Sequence, residues 1–230
     1  MIVDRRLLLG SAVASLSACA TGASFWDGVS IETFDVWPVA PPGGEGVTVS
    51  ETIIERATAS GEHDRAVTGV RRPTLKVFHP LKPDGSAVLV IPGGGYQRVV
   101  LDKEGDETGL FLARHGVTAA VLVYRLPGDG WTAGRDAPLQ DAQRALRLLR
   151  SGWLAPGIDG ARVGVLGFSA GGHLAASLAL AAANRTYDPI DAADAASARP
   201  DFAALIYAAY LDGKGPPGLQ AGRAGPAPDL

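Results

Sequence analysis

The residues with the clearest capacity for chemistry are Gly167-Phe168-Ser169-Ala170-Gly171, a G-x-S-x-G set that ends the apolar run "VGVLG" (163–167) and opens a stretch of helix formers. In that setting the serine sits on a sharp strand-to-helix turn. The flanking glycines let strand and helix approach, and the hydroxyl projects from the carboxyl edge of a sheet, as an acyl-transfer nucleophile must. A phosphate-binding turn would require Gly-Lys-Ser/Thr or G-x-G-x-x-G, and neither is present. A second glycine set, "IPGGGY" at 91–96, ends an earlier apolar run. The N–H groups of Gly93 and Gly94, together with that of Ala170 after the serine, are candidate donors to the oxyanion of a tetrahedral intermediate, an effect of about 3–4 kcal/mol per donor. Tyr96 is expected to pack beneath this loop.

A nucleophilic serine also needs a base. The four histidines are His63, His79, His115 and His173, and none follows 173. His173 lies four residues beyond the serine on the same predicted helix, with its ring along or beneath that helix, and reads as a packing residue. His115 closes a helix before Gly116, His79 ends a strand and His63 lies in a polar loop. Asp188, Asp191, Asp194, Asp201 and Asp212 follow the serine in loops or at a strand start, where they have no histidine to orient. Asp102 and Asp141 precede the elbow and read as surface or ion-pairing residues.

The elements that must position these groups alternate along the chain. Strands are expected at "TIIER", "TLKVFH", "AVLVI" (87–91), "AAVLVY" (119–124), "VGVLG" and "FAALIYA" (202–208). Between them fall helices over 107–115, from Pro138 with Leu139, Ala142, Ala145, Leu146 and Leu149 on one face, and over 170–182. Continuous apolar strands separated by helices imply an α/β fold, a mostly parallel sheet with helices on both faces.

The chain has 230 residues with 21 basic and 24 acidic side chains in no long run, so no stripe could neutralise a phosphate backbone and nucleic acid is excluded as a partner. One cysteine rules out an internal disulfide framework and a multi-cysteine zinc site. That cysteine ends an export signal at 1–19: Arg5 and Arg6 head the apolar stretch 7–18, in the manner of a twin-arginine signal, and "LSAC" resembles a lipobox that would lipidate Cys19. Ordinary cleavage near residues 18–20 would instead leave a periplasmic or secreted protein. Residues 20–50, with "WPVAPPGGEG", read as a tether outside the core. Residues 51–210 read as the folded domain, and 211–230, rich in Gly and Pro, as a tail.

The segments "DRAVTGVRRPTLKVFHP", "VLVIPGGGYQRVVLDKEG", "YRLP", "APLQDAQRALRLLRS" and "RVGVLGFSAGGHLAA" together resemble the acetyl xylan esterase and feruloyl esterase group of α/β-hydrolases, xylanase-like and dienelactone-hydrolase-like proteins, over residues 60–210. The resemblance implies serine ester hydrolysis at Ser169 on acetyl or feruloyl esters of carbohydrate, an oxyanion hole from the PGGGY loop, and no metal or cofactor. The partner it implies is a small-molecule or polysaccharide ester, with the membrane touched only through a lipid anchor. It also implies an aspartate and a histidine after the strand at 202–208. No such residues are recognisable there, so the expectation is a domain lacking its last strands through truncation or frameshift, nearly inert and prone to aggregate. Two further functions stand beside this one: a non-catalytic lipoprotein or decayed fragment, and a peptidase of the prolyl-oligopeptidase kind.

Overall fold

The computed structural model describes residues 24–26, 28–57 and 63–211. Its main sheet runs, in spatial order, β1 (Ser24–Trp26), β2 (Val29–Asp35), β5 (Thr74–His79), β8 (Thr118–Val123), β6 (Ala87–Ile91), β9 (Val163–Phe168) and β10 (Ala203–Ile206). The four strands from β8 to β10 are parallel, and β1, β2 and β5 continue the sheet antiparallel. A smaller antiparallel sheet joins β3 (Thr52–Glu55), β4 (Arg65–Thr68) and β7 (Val99–Val100).

All five residues of β6 are buried, because its unbroken apolar sequence is covered on both faces. One cover is α1 (Glu107–Arg114), packed on Phe78, Val88, Val90 and Val121. The other is α2 (Ala137–Arg150) with α3 (Ala170–Leu180), over Leu75, Leu89, Ile91 and Val165. On α2 the apolar stripe Ala142, Ala145, Leu146 and Leu149 is fully buried, as its helical spacing requires. Its polar side is buried too. Gln143, Arg144 and Arg147 are covered by residues 181–198, to which they bond through the carbonyls of Asn184 and Ala196 and the carboxylates of Asp191 and Asp194.

The structure corrects the reading of 20–50 as a tether. Residues 29–35 form β2 inside the main sheet, and Phe34, Val36 and Trp37 belong to the core. The Pro- and Gly-rich stretch folds back because side chains fasten it: Trp37 Nε1 donates to Asp141 Oδ1 (2.7 Å), and Arg125 donates to the Pro42 carbonyl (2.8 Å). The folded domain therefore begins well before residue 51. Asp141 is likewise no surface residue. It is fully buried and receives Arg125 through its backbone N–H and guanidinium.

At the opposite end, β10 pairs with β9 and with no other strand among the described residues. Leu205, Ile206 and Tyr207 are 40%, 37% and 65% exposed. Cys19, the expected export signal, Asp212 and the rest of the tail lie outside the described residues.

Candidate active site

Ser169 joins β9 directly to α3 with φ 49° and ψ −116°, a conformation an L residue adopts only when its surroundings hold it there. The surroundings are tight. A Cβ on Gly171 would lie 2.1 Å from the Ile91 carbonyl oxygen, and one on Gly167 would lie 2.3 Å from that of Gly171, so neither flank tolerates a side chain. The end of β10 and the segment after it also brace the turn: Ser169 N–H donates to the Ile206 carbonyl (3.0 Å), and Ala209 N–H donates to the Ser169 carbonyl (2.9 Å). The Ser169 side chain is half-buried and forms no hydrogen bond among the described residues.

The loop after β6 runs against this serine, since a Cβ on Gly93 would sit 3.0 Å from Ser169 Cβ. Of the three expected oxyanion donors, Ala170 N–H and Gly94 N–H make no hydrogen bond among the described residues and remain available. Gly93 N–H does not: it donates to Glu104 Oε2 at 2.7 Å. Glu104 lies on a single π-helical turn, Asp102–Asp106, and its other oxygen accepts from Tyr207 O–H at 2.9 Å. Although most of the side chain is exposed, desolvation of its hydroxyl end, and then that bond, push the Tyr207 phenol up to about 12.

All four histidines lie among the described residues, and none hydrogen-bonds to the Ser169 side chain. His173 Nδ1 is 2.8 Å from Tyr96 O–H, and its ring also meets Tyr210 edge-on. Burial, with a smaller contribution from Arg135, holds its pKa below the ordinary value, which favours neutral imidazole. His63 faces Glu55, His115 donates to the Phe111 carbonyl, and His79 is half-buried on β5. Tyr96 is buried against Tyr124 and Tyr210, packing under the loop. Among the described residues the non-glycine positions with positive φ are Tyr96, Ser169, Tyr207 and Tyr210, so backbone strain concentrates on this one site.

Of the described aspartates downstream of the serine, Asp188 is exposed and the other three are engaged elsewhere. Asp191 and Asp194 hold Arg144, Asp201 caps Val163 N–H and meets Arg150, and none approaches a histidine through a hydrogen bond. Asp102 is an ion-pairing residue, its carboxyl kept below the usual range chiefly by the Arg65 guanidinium. No group of three His, Cys, Asp or Glu side chains among the described residues is arranged to hold a metal ion. Glu104, Tyr124 and Tyr207 were invisible as site residues in the sequence. They come from three separate segments and share no spacing with the serine, and only the strand order brings them together.

With an antiparallel first half, a parallel second half and a strained serine between a parallel strand and its helix, the fold is that of the α/β-hydrolases. Within that class the chain belongs to the BD-FAE family, whose model matches residues 75–218. It is 34% identical over 131 residues to an acetylxylan esterase of Xylanibacter ruminicola, which covers 56% of this chain and 24% of that protein. It is also 34% identical over 127 residues to endo-1,4-beta-xylanase B of Butyrivibrio fibrisolvens, covering 55% of this chain and 20% of that one. The chain thus matches about a quarter or less of the length of these curated relatives. Thermogutta terrifontis esterase 2 phosphorylated by paraoxon superposes with a TM-score of 0.53 at 20% identity, over 79% of this chain and 64% of that one, a likeness of fold.

Proposed function

We propose that the domain is the ester-cleaving part of an exported serine esterase acting on acyl esters of carbohydrate, with Ser169 as nucleophile. The observation that carries this reading is the strained Ser169, its side chain unbonded among the described residues, beside the unbonded N–H groups of Ala170 and Gly94. Ser169 Oγ attacks the ester carbonyl, the two N–H groups take up the charge on its oxygen, the sugar alcohol leaves, and water releases the acyl group. The carbohydrate ester is supported by the names of the relatives, an acetylxylan esterase and a xylanase. Export, with lipidation at Cys19 or cleavage beside it, is supported by the Arg5-Arg6 pair and the apolar stretch after it.

The proton of Ser169 has no histidine acceptor among the described residues. Oxyanion hole and binding alone leave about 10³–10⁴ of rate enhancement over water. The 230-residue chain should therefore release nitrophenol from p-nitrophenyl acetate slowly, and acetate from acetylated xylo-oligosaccharides more slowly still, both lost in Ser169→Ala. A rate unchanged in that variant removes Ser169 from the mechanism. The placement of the four histidines also favours a second reading, a non-catalytic lipoprotein, whose non-catalytic part absence of any Ser169-dependent release would support. A preference for peptide amides over esters would point to a peptidase instead.

A further inference from the structure

The loop that carries the oxyanion donors is fixed one peptide unit at a time. The Pro92 carbonyl accepts from Tyr124 O–H at 2.9 Å, and the N–H of the same peptide, on Gly93, donates to Glu104 Oε2 at 2.7 Å. Both faces of the Pro92–Gly93 unit are thus held by side chains, one of them on the fully buried Tyr124. In the next unit the Gly93 carbonyl accepts from Val100 N–H at 3.0 Å. A trans peptide points its N–H opposite its carbonyl, so the Gly94 N–H is turned away from β7 and left without a partner among the described residues. Glycine has no side chain to resist a flip at this point, and Gly94 itself has φ 133°. The orientation of the donor therefore rests on its neighbours' bonds.

We infer that Glu104 is the positioning residue of the oxyanion loop, clamping Gly93 N–H with one carboxylate oxygen and Tyr207 O–H with the other, so that Gly94 and not Gly93 serves the oxyanion with Ala170. This deepens the serine esterase reading and rests on it. A carboxylate suits the task because its two oxygens accept simultaneously, and a charged acceptor makes the shorter, stronger bond. The same carboxylate ties the loop after β6 to the segment after β10 that braces Ser169, so nucleophile and donor are held to one another. Glu104 is half-buried on a surface turn, and its replacement leaves the core untouched.

The test is amide NMR of the chain labelled with ¹⁵N at glycine and alanine, alone and with phenylboronic acid, whose tetrahedral serine adduct places an oxygen in the hole. In the wild type the Gly93 proton should be the most downfield of the glycine amides. It should lose that position in Glu104→Ala and keep part of it in Glu104→Gln, whose amide oxygen still accepts. Phenylboronic acid should shift Gly94 and Ala170 and leave Gly93 in place, with affinity falling about tenfold in Glu104→Ala and less in Glu104→Gln. Tyr207→Phe, at an exposed residue, should keep the Gly93 signal downfield and lose a smaller share of affinity. The inference is overturned if Gly93 is unmoved in Glu104→Ala, if the boronic acid shifts Gly93 in place of Gly94, or if the Glu104 variants bind it as tightly as the wild type or more tightly. An absent boronate adduct in every variant, with the Gly93 signal still following Glu104, keeps the clamp and removes the serine esterase reading.

Discussion

The two ends of the main sheet are closed by different means. At the β2 end, a stretch whose composition suggests an open linker is locked by polar groups: Arg125 and Asp141, both fully buried, meet at 2.8 Å, and Trp37, Pro42, Ala137 and Gln140 satisfy their remaining donors and acceptors. Arg125 also lies over the ring of Trp131 at 4.8 Å. At the β10 end the residues are apolar but covered less, with Leu205 and Ile206 more than a third exposed. Polarity inside and apolarity outside are thus both found in this domain, and the difference is whether partners are present. Charges are tolerated in the interior where every donor has an acceptor, whereas an apolar strand with one edge unpaired among the described residues exposes a surface that other chains can pair with. The strained serine is braced from the less covered end.

Breaking the lock should have the largest effect. Asp141→Asn leaves the Arg125 guanidinium buried without its counter-charge, a loss of about 3–5 kcal/mol, to be read as a lowered denaturant midpoint. A loss under about 1 kcal/mol would mean that apolar packing, not the ion pair, holds residues 36–44 in place. Trp37→Phe removes the N–H donated to Asp141 together with the five-membered ring that carries it, and because Trp37 is buried the small cavity adds to the lost hydrogen bond, for about 2–4 kcal/mol in the same measurement.

Each half of the molecule also holds a half-buried histidine. His79, on β5, and His173, on α3, both have pKa values lowered, principally by burial, with Glu32 opposing the shift at His79 and Arg135 reinforcing it at His173. Their folded forms stay neutral while the unfolded chain takes up protons below about 6.5, so stability should fall as the pH drops from 7 through that value toward the folded pKa. His79→Gln should flatten the decline between pH 7 and 5. An unchanged slope would mean that His79 does not titrate differently on unfolding.

The smallest effect on stability is expected at β10. Leu205→Lys, at an exposed position, should change the unfolding free energy by no more than about 0.5 kcal/mol. It should nevertheless visibly reduce binding of a hydrophobic dye and self-association, both of which the wild-type chain should show. Equal dye binding in both proteins would place the exposed apolar surface elsewhere.

Much of the fold was legible because its strands are short apolar runs between turn signals. Residues 74–79 and 87–91 were read to the residue, and the helices over 107–114, 137–150 and 170–180 to within one or two. The elbow was legible because glycine is compulsory at both flanks of Ser169, and this necessity appears directly in the sequence. Residues 29–49 were misread because Pro and Gly describe backbone habit and say nothing of where Trp37 ends up. Burial there depends on Asp141, more than a hundred residues away. Glu104 was missed for the same kind of reason, since nothing in "DKEG" shows that one carboxylate will meet a glycine N–H and a tyrosine from a distant loop.

On the proposed function Ser169 is the nucleophile, flanked by the unbonded N–H groups of Gly94 and Ala170, with none of the four histidines hydrogen-bonded to its side chain. The most direct measurement is the rate at which the 230-residue chain reacts with a fluorophosphonate probe, with the modified peptide located by mass spectrometry. Slow modification confined to Ser169, and absent from Ser169→Ala, is expected. Rapid, stoichiometric labelling of Ser169 would contradict it, since a base, His173 first among the candidates, would then have to reach the serine, and labelling that persists in Ser169→Ala would put the nucleophile elsewhere.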